Sequence, residues 1–159
     1  MGSGTILNEV RTAAKMLKED WNIDSDVWSV TSINEVYREA KDCERWSTLH
    51  PEQKERTPYI TEVMESFEGP RVIATDYMQS HSEQLRRFVS GTFKVLGTDG
   101  FGRSDTRPKL REFFEVDSRY VVVNALSALL EEGKVEASLV AEAISKYGIN
   151  PDKPNPTTV

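Results

Sequence analysis

"VLGTDGFGRSDTRPKL", residues 95–110, sets three glycines, two aspartates and two arginines behind a short apolar run. The run "TFKVLG", residues 92–97, reads as a strand, and a helix is expected over 107–114. The loop therefore joins a strand to a helix and belongs at the carboxyl end of a sheet, where open α/β folds bind their ligands. Its glycines permit left-handed backbone and close approach. Free N–H groups at the next helix start, with Arg103, Ser104 and Arg107, make an anion site conceivable. The glycine spacing argues otherwise. Gly97, Gly100 and Gly102 form G-x-x-G-x-G, not the dinucleotide fingerprint G-x-G-x-x-G, and no Gly-Lys-Ser/Thr occurs in the chain. Asp99 and Asp105 would repel a phosphate; they suit helix capping and pairing with the arginines. A structural or interface loop is the favoured reading, and a free-standing anion- or nucleotide-binding module using residues 97–105 is the alternative.

Outward from the loop, strand and helix signals alternate. Residues 5–22 carry Ile6, Val10, Ala13 and Leu17 at helical spacing. "DVWSVT", 26–31, reads as a strand, and Ser32 with Glu35 makes a capping box for a helix reaching about Trp46. Thr57-Pro58 opens a short helix that Gly69-Pro70 breaks. "RVIAT", 71–75, is a buried strand, and "MQSHSEQLRRFV", 78–89, is helical with Ser80 or Ser82 as cap. Asp117 caps a helix over 118–132 that Gly133 stops, and a last helix covers 136–147. The pattern predicts an α/β fold of three layers, a mostly parallel sheet with helices on both faces. One domain spans 1–148, and the Pro-rich tail 149–159 is expected to run as an extended arm. Met1-Gly2-Ser3-Gly4 reads as a turn entering the first helix, so the strand that should feed it is expected upstream of residue 1.

Composition narrows the function. Twenty basic against 26 acidic residues give a net charge of −6, the wrong sign for a general nucleic-acid binder. The single cysteine, Cys43, excludes an internal disulfide and any multi-Cys metal site, and fits a reducing compartment. No run approaches the roughly 20 apolar residues that span a bilayer. A cytoplasmic protein without membrane contact is expected. His50 and His81 are each alone, and no G-x-S-x-G elbow accompanies Ser80 and Ser82. Asp76, at the end of "RVIAT", is a weaker candidate for an acid/base group or metal ligand; capping the next helix is its plainer role. The aromatic set Trp21, Trp28, Trp46, Tyr37, Phe113 and Phe114 reads mostly as core. No catalytic constellation is legible.

At "LGTDGFGRSDTRPKLREFFEVDSRYVVVNAL", residues 96–126, the chain resembles the C-terminal domain of the bacterial homodimeric pyruvate dehydrogenase E1 components. "GSGTILNEVRTAA", "DVWSVTSINEV", "CERWSTLHPE", "TPYI", "ATDYM" and "AISKYGINPDKPNP" follow the same resemblance in order. It implies a transketolase-like parent with two larger preceding domains. That parent uses thiamine diphosphate and magnesium to decarboxylate pyruvate and reductively acetylates the lipoyl group of the E2 acetyltransferase. The resemblance places the cofactor site in the earlier domains, across a homodimer interface. Asp99-Gly100 lacks the asparagine partner of the family's GDG…N magnesium motif. No catalytic, cofactor-binding or metal residue is therefore carried over to this segment. The expected partners are the preceding domains of its own chain, the homodimer partner and, through the parent, E2.

Overall fold

The computed structural model describes residues 1–159. Two strands, β1 (Arg71–Ala74) and β2 (Phe93–Leu96), pair in parallel with Arg71 opposite Phe93 and Ala74 opposite Leu96. The expected turn at the start is instead extended: Ser3 has φ −121° and ψ 155°. Gly2 bridges in parallel to Ser29 on one side and Ala74 on the other. Gly2 N–H donates to the Trp28 carbonyl and Val30 N–H to the Gly2 carbonyl, both at 2.9 Å. Ala74 N–H donates to the Met1 carbonyl at 3.1 Å and Ser3 N–H to the Ala74 carbonyl at 3.3 Å. Residues 1–3 thus hold the inner position of a parallel array ordered 28–30, 1–3, β1, β2. The strand expected over 26–31 is realised only as a bridge at Ser29, because its sole partner is this three-residue stretch.

Seven α-helices cover the two faces. They are α1 (Leu7–Trp21), α2 (Ile33–Leu49), α3 (Tyr59–Glu65), α4 (Gln79–Glu83), α5 (Arg107–Phe113), α6 (Ser118–Glu131) and α7 (Ala137–Lys146). Short 3-10 turns lie at Gly4–Ile6 and Arg86–Phe88. Alternation along the strands builds two cores. Ala74 and Leu96 join Val10, Leu17, Val122 and Leu126 beneath α1 and α6. Ile73 and Phe93 face the other way, onto Ile33, Ile60, Leu85 and Phe88. The three-layer α/β reading is the observed arrangement.

Local signals act as their chemistry requires. The Ser32 hydroxyl accepts from Glu35 N–H at 3.3 Å, and Asp117 Oδ1 accepts from Arg119 and Tyr120 N–H at 3.0 and 3.2 Å. Gly133 and Gly148 follow the ends of α6 and α7 with φ of 68° and 63°, the left-handed geometry that stops a helix at little steric cost. Neither Ser80 nor Ser82 caps α4: its N-cap position is Met78, and Ser82 is fully buried inside the helix. Arg71 ties the end of α3 to the sheet, its guanidinium donating to the Met64 and Phe67 carbonyls at 2.6 Å. The tail does not extend as an arm. Residues 149–159 fold back in turns, with Pro156 buried and Lys153 Nζ donating to the Phe113 carbonyl at 2.7 Å and to Glu115 Oε1 at 2.8 Å.

The first and last long helices are locked by one polar cluster. Trp21 Nε1 donates to Tyr147 Oη at 2.8 Å, Tyr147 Oη to Asp20 Oδ2 at 2.7 Å, and Lys146 Nζ to Asp20 Oδ1 at 2.7 Å. The bonds from Lys146 and Tyr147 hold the Asp20 carboxyl below its ordinary value. A depressed carboxyl adds stability above its unfolded pKa and loses it as pH falls through the folded one. Asp20→Asn is therefore expected to flatten the loss of stability below about pH 4, followed by urea denaturation across pH. Leu126, with no exposed surface, should cost about 2–5 kcal/mol as Leu126→Ala. Leu49→Ala, at a side chain 57% exposed, should change stability by about 0.5 kcal/mol or less in the same titration.

Candidate functional site

The segment that follows β2 turns back under the one that follows β1. A Cβ on Gly97 would lie 2.6 Å from the Tyr77 carbonyl oxygen and 2.7 Å from Gln79 N, so only glycine lets the two segments meet. Thr98 N–H donates to the Tyr77 carbonyl at 2.9 Å, and the Thr98 hydroxyl donates to the Asp76 carbonyl at 2.7 Å. Asp99 Oδ2 accepts from Gln79 N–H at 3.1 Å. Asp99 thus serves the start of α4, the role expected of Asp76, whose own carboxylate lies beside Gly4. Gly100 has φ 102°, and a Cβ there would strike the Pro156 carbonyl of the returning tail. Here the need for glycine is both conformational and steric.

The rest of the loop opens outward. Arg103 lays its guanidinium over Phe113 at 4.1 Å from the ring centroid. Asp105 Oδ1 accepts from Thr106 N–H at 2.6 Å, next to the start of α5. The expected pairing of Asp99 and Asp105 with the loop arginines does not form: each carboxylate is engaged by backbone, and Arg103 takes an aromatic face instead. Arg107 makes no ion pair.

The candidate residues fall into two neighbouring depressions. Gly97 and Asp99 line one of about 390 Å³, shared with Asn124, Lys153 and the tail. Asp76, Gly100, Gly102, Arg103 and Arg107 line an open cleft of about 500 Å³ between α5 and the 3-10 turn that precedes α1. Ser104 and Asp105 are exposed and belong to neither. The histidines stay apart: His50 stacks on Trp46 with centroids 4.4 Å apart, and His81 leans on Tyr77 at 4.9 Å.

Sequence reasoning missed the anchor under this site. Glu9 on α1 receives Arg111 Nη1 at 2.6 Å and Ser118 N–H at 3.0 Å, joining α1 to α5 and to the start of α6. More than a hundred residues separate the partners, and nothing local in either segment announces the pair. Both side chains are less than one-fifth exposed. Losing one partner of such a pair costs more than a surface bridge would, because the other charge stays behind.

No group of three or more His, Cys, Asp or Glu side chains converges in the chain, and the Asp99 carboxylate accepts from the Gln79 backbone N–H. Burial, with Glu39 beside it, pushes the Cys43 thiol up to about 11, away from the lowered pKa of a reactive cysteine.

Two outcomes follow from this geometry. Gly100→Ala should lower the Tm by several degrees and free the tail, read by mass spectrometry as faster amide hydrogen exchange across residues 152–159; an unchanged exchange pattern would contradict the packing. Cys43 should react with iodoacetamide at pH 8 far more slowly in the folded chain than in urea, measured by mass spectrometry.

Residues 1–117 match the family model described as the transketolase-like TK C-terminal domain. The chain is 55% identical over 157 residues to the pyruvate dehydrogenase E1 component of Pseudomonas aeruginosa. It is 51% identical over 157 residues to that of Escherichia coli K12, and 50% identical over 159 residues to that of Cupriavidus necator. These alignments cover 98%, 98% and 100% of this chain, yet it spans only 18% of the length of each relative. No helix is long and apolar enough to cross a membrane. With α/β layering, a parallel sheet and a family match over its first 117 residues, the chain belongs to the transketolase-like C-terminal domain family.

Proposed function

We propose that these residues form the C-terminal domain of a cytoplasmic pyruvate dehydrogenase E1 component and act there as a non-catalytic layer that supports assembly. In this reading the parent is a homodimer that decarboxylates pyruvate with thiamine diphosphate and magnesium and passes the acetyl group to the lipoyl group of E2. The reactive centre lies in polypeptide outside these residues. Its closest supports here are the preceding domains of the same chain and the partner subunit. The observation that carries the reading is identity of 50–55% running through 98–100% of the chain to E1 components. The loop supports it: Gly97, Gly100 and Asp99 are committed to contacts within the domain, which suits a rigid surface element rather than a mobile catalytic one.

Two measurements test this. Calorimetric titration of the 159-residue chain with thiamine diphosphate and magnesium should give no saturable heat; magnesium-dependent binding in the micromolar range would contradict the assignment. In the full-length enzyme, Arg103→Ala removes a contact worth about 0.5–1 kcal/mol. It should lower the Tm or weaken dimerisation while leaving the chemistry of assembled enzyme intact. Unchanged stability and assembly would remove Arg103 from the supporting role.

A further inference from the structure

The open cleft between the 3-10 turn at Gly4–Ile6, α5 and the 97–103 loop has an apolar floor and a ring of polar groups above it. Leu110, Phe114 and Val116 form the floor. Arg103, Arg107, Asp76, Thr5 and Thr98 supply the polar rim, and Phe101, 76% exposed, stands at its edge. At about 500 Å³ it has the size of a small-molecule site and the usual makeup of one, apolar walls with a few placed polar groups.

The charges on the rim are uneven. Arg111 also lines the cleft, but Glu9 neutralises it at 2.6 Å. Arg103 is engaged only by the Phe113 face, and Arg107 has no carboxylate within ion-pair distance. Two guanidiniums thus remain on a chain whose net charge is −6, opposed in this cleft by the single carboxylate of Asp76. Guanidiniums suit phosphate and carboxylate oxygens, which they hold through paired N–H groups. Asp76 repels a bare anion but accepts from a hydroxyl. The Thr98 hydroxyl spends its proton on the Asp76 carbonyl at 2.7 Å, which leaves it an acceptor. The Thr5 hydroxyl serves only as a long acceptor, at 3.5 Å from Arg111 Nη2, and keeps its proton to give. Acceptors and cations on one rim describe a ligand that carries an anion and hydroxyl donors together.

We propose that this cleft binds a small hydroxylated anion, a phosphate ester or hydroxy-carboxylate, with Arg107 and Arg103 on the anionic group and Asp76 and Thr98 on its hydroxyls. The side chains on the rim form the site, not the loop backbone, and its existence does not depend on which reaction the flanking polypeptide performs.

The test is calorimetry on the full-length polypeptide and, in parallel, on the 159-residue chain, with no magnesium present. The probes are glycerol 3-phosphate, glycerate and inorganic phosphate. Both hydroxylated probes should bind at millimolar or better affinity, and inorganic phosphate more weakly. Arg107→Ala should weaken them tenfold or more with the circular dichroism spectrum unchanged. Asp76→Asn should weaken glycerol 3-phosphate and leave inorganic phosphate equal or tighter, a reversal that a change in folding would not produce. Binding indifferent to Arg107→Ala, or no binding at ten millimolar, overturns the proposal. Binding by the 159-residue chain alone also overturns it, since the cleft would then be a covered interface in the longer polypeptide.

Discussion

Everything in this fold leans on three residues held between two neighbours. Met1, Gly2 and Ser3 exchange backbone hydrogen bonds with Trp28 and Val30 on one side and with Ala74 on the other. Without them the 28–30 segment has no partner in the sheet, and α2 loses its registration to the core. Gly2 is required at that point, since a Cβ would lie 2.9 Å from the Leu7 Cα at the start of α1. The Ser3 hydroxyl then donates to Thr75 Oγ1 at 2.8 Å, and Thr75 Oγ1 accepts from Tyr77 N–H at 3.2 Å. The same short stretch thereby fixes the exit from β1, the segment against which the glycine-rich loop is folded.

From that point the organisation of the carboxyl edge follows. Thr98 and Asp99 meet the backbone of 76–79, the tail closes over Gly100, and Lys153 secures the end of α5. Glu9 collects Arg111 and the first N–H of α6 from below. A loop fastened at so many points is a shaped surface. Such a surface suits the assembly role proposed above, and one wall of the cleft keeps the Arg103 and Arg107 guanidiniums.

The sequence was most readable where a signal acts over a few residues. Asp117, Ser32, Gly133 and Gly148 declared helix ends by local hydrogen bonding and backbone preference, and the short apolar runs at 71–75 and 92–97 declared strands. It was least readable where the partner lies far along the chain. The 26–31 run has strand composition, but a strand exists only as far as its partner does, and here that is a single residue bridge at Ser29. Asp76 looked like a cap because it precedes α4; Asp99, 20 residues beyond Gln79, does the work because the loop brings it back. The Glu9–Arg111 pair and the Lys153 anchor carry no periodic or spacing signal at all. The glycine spacing excluded a nucleotide fingerprint, yet the cleft beside the loop depends on side chains from three separate segments that no motif joins.

The central claim is that the reactive centre is supplied by polypeptide beyond these residues. The most direct measurement is carbon dioxide release from labelled pyruvate by the purified 159-residue chain, with thiamine diphosphate, magnesium and an artificial electron acceptor in excess. The account requires no release above the protein-free control, while the full-length enzyme under the same conditions turns over. Sustained, enzyme-proportional release by the short chain alone would contradict it.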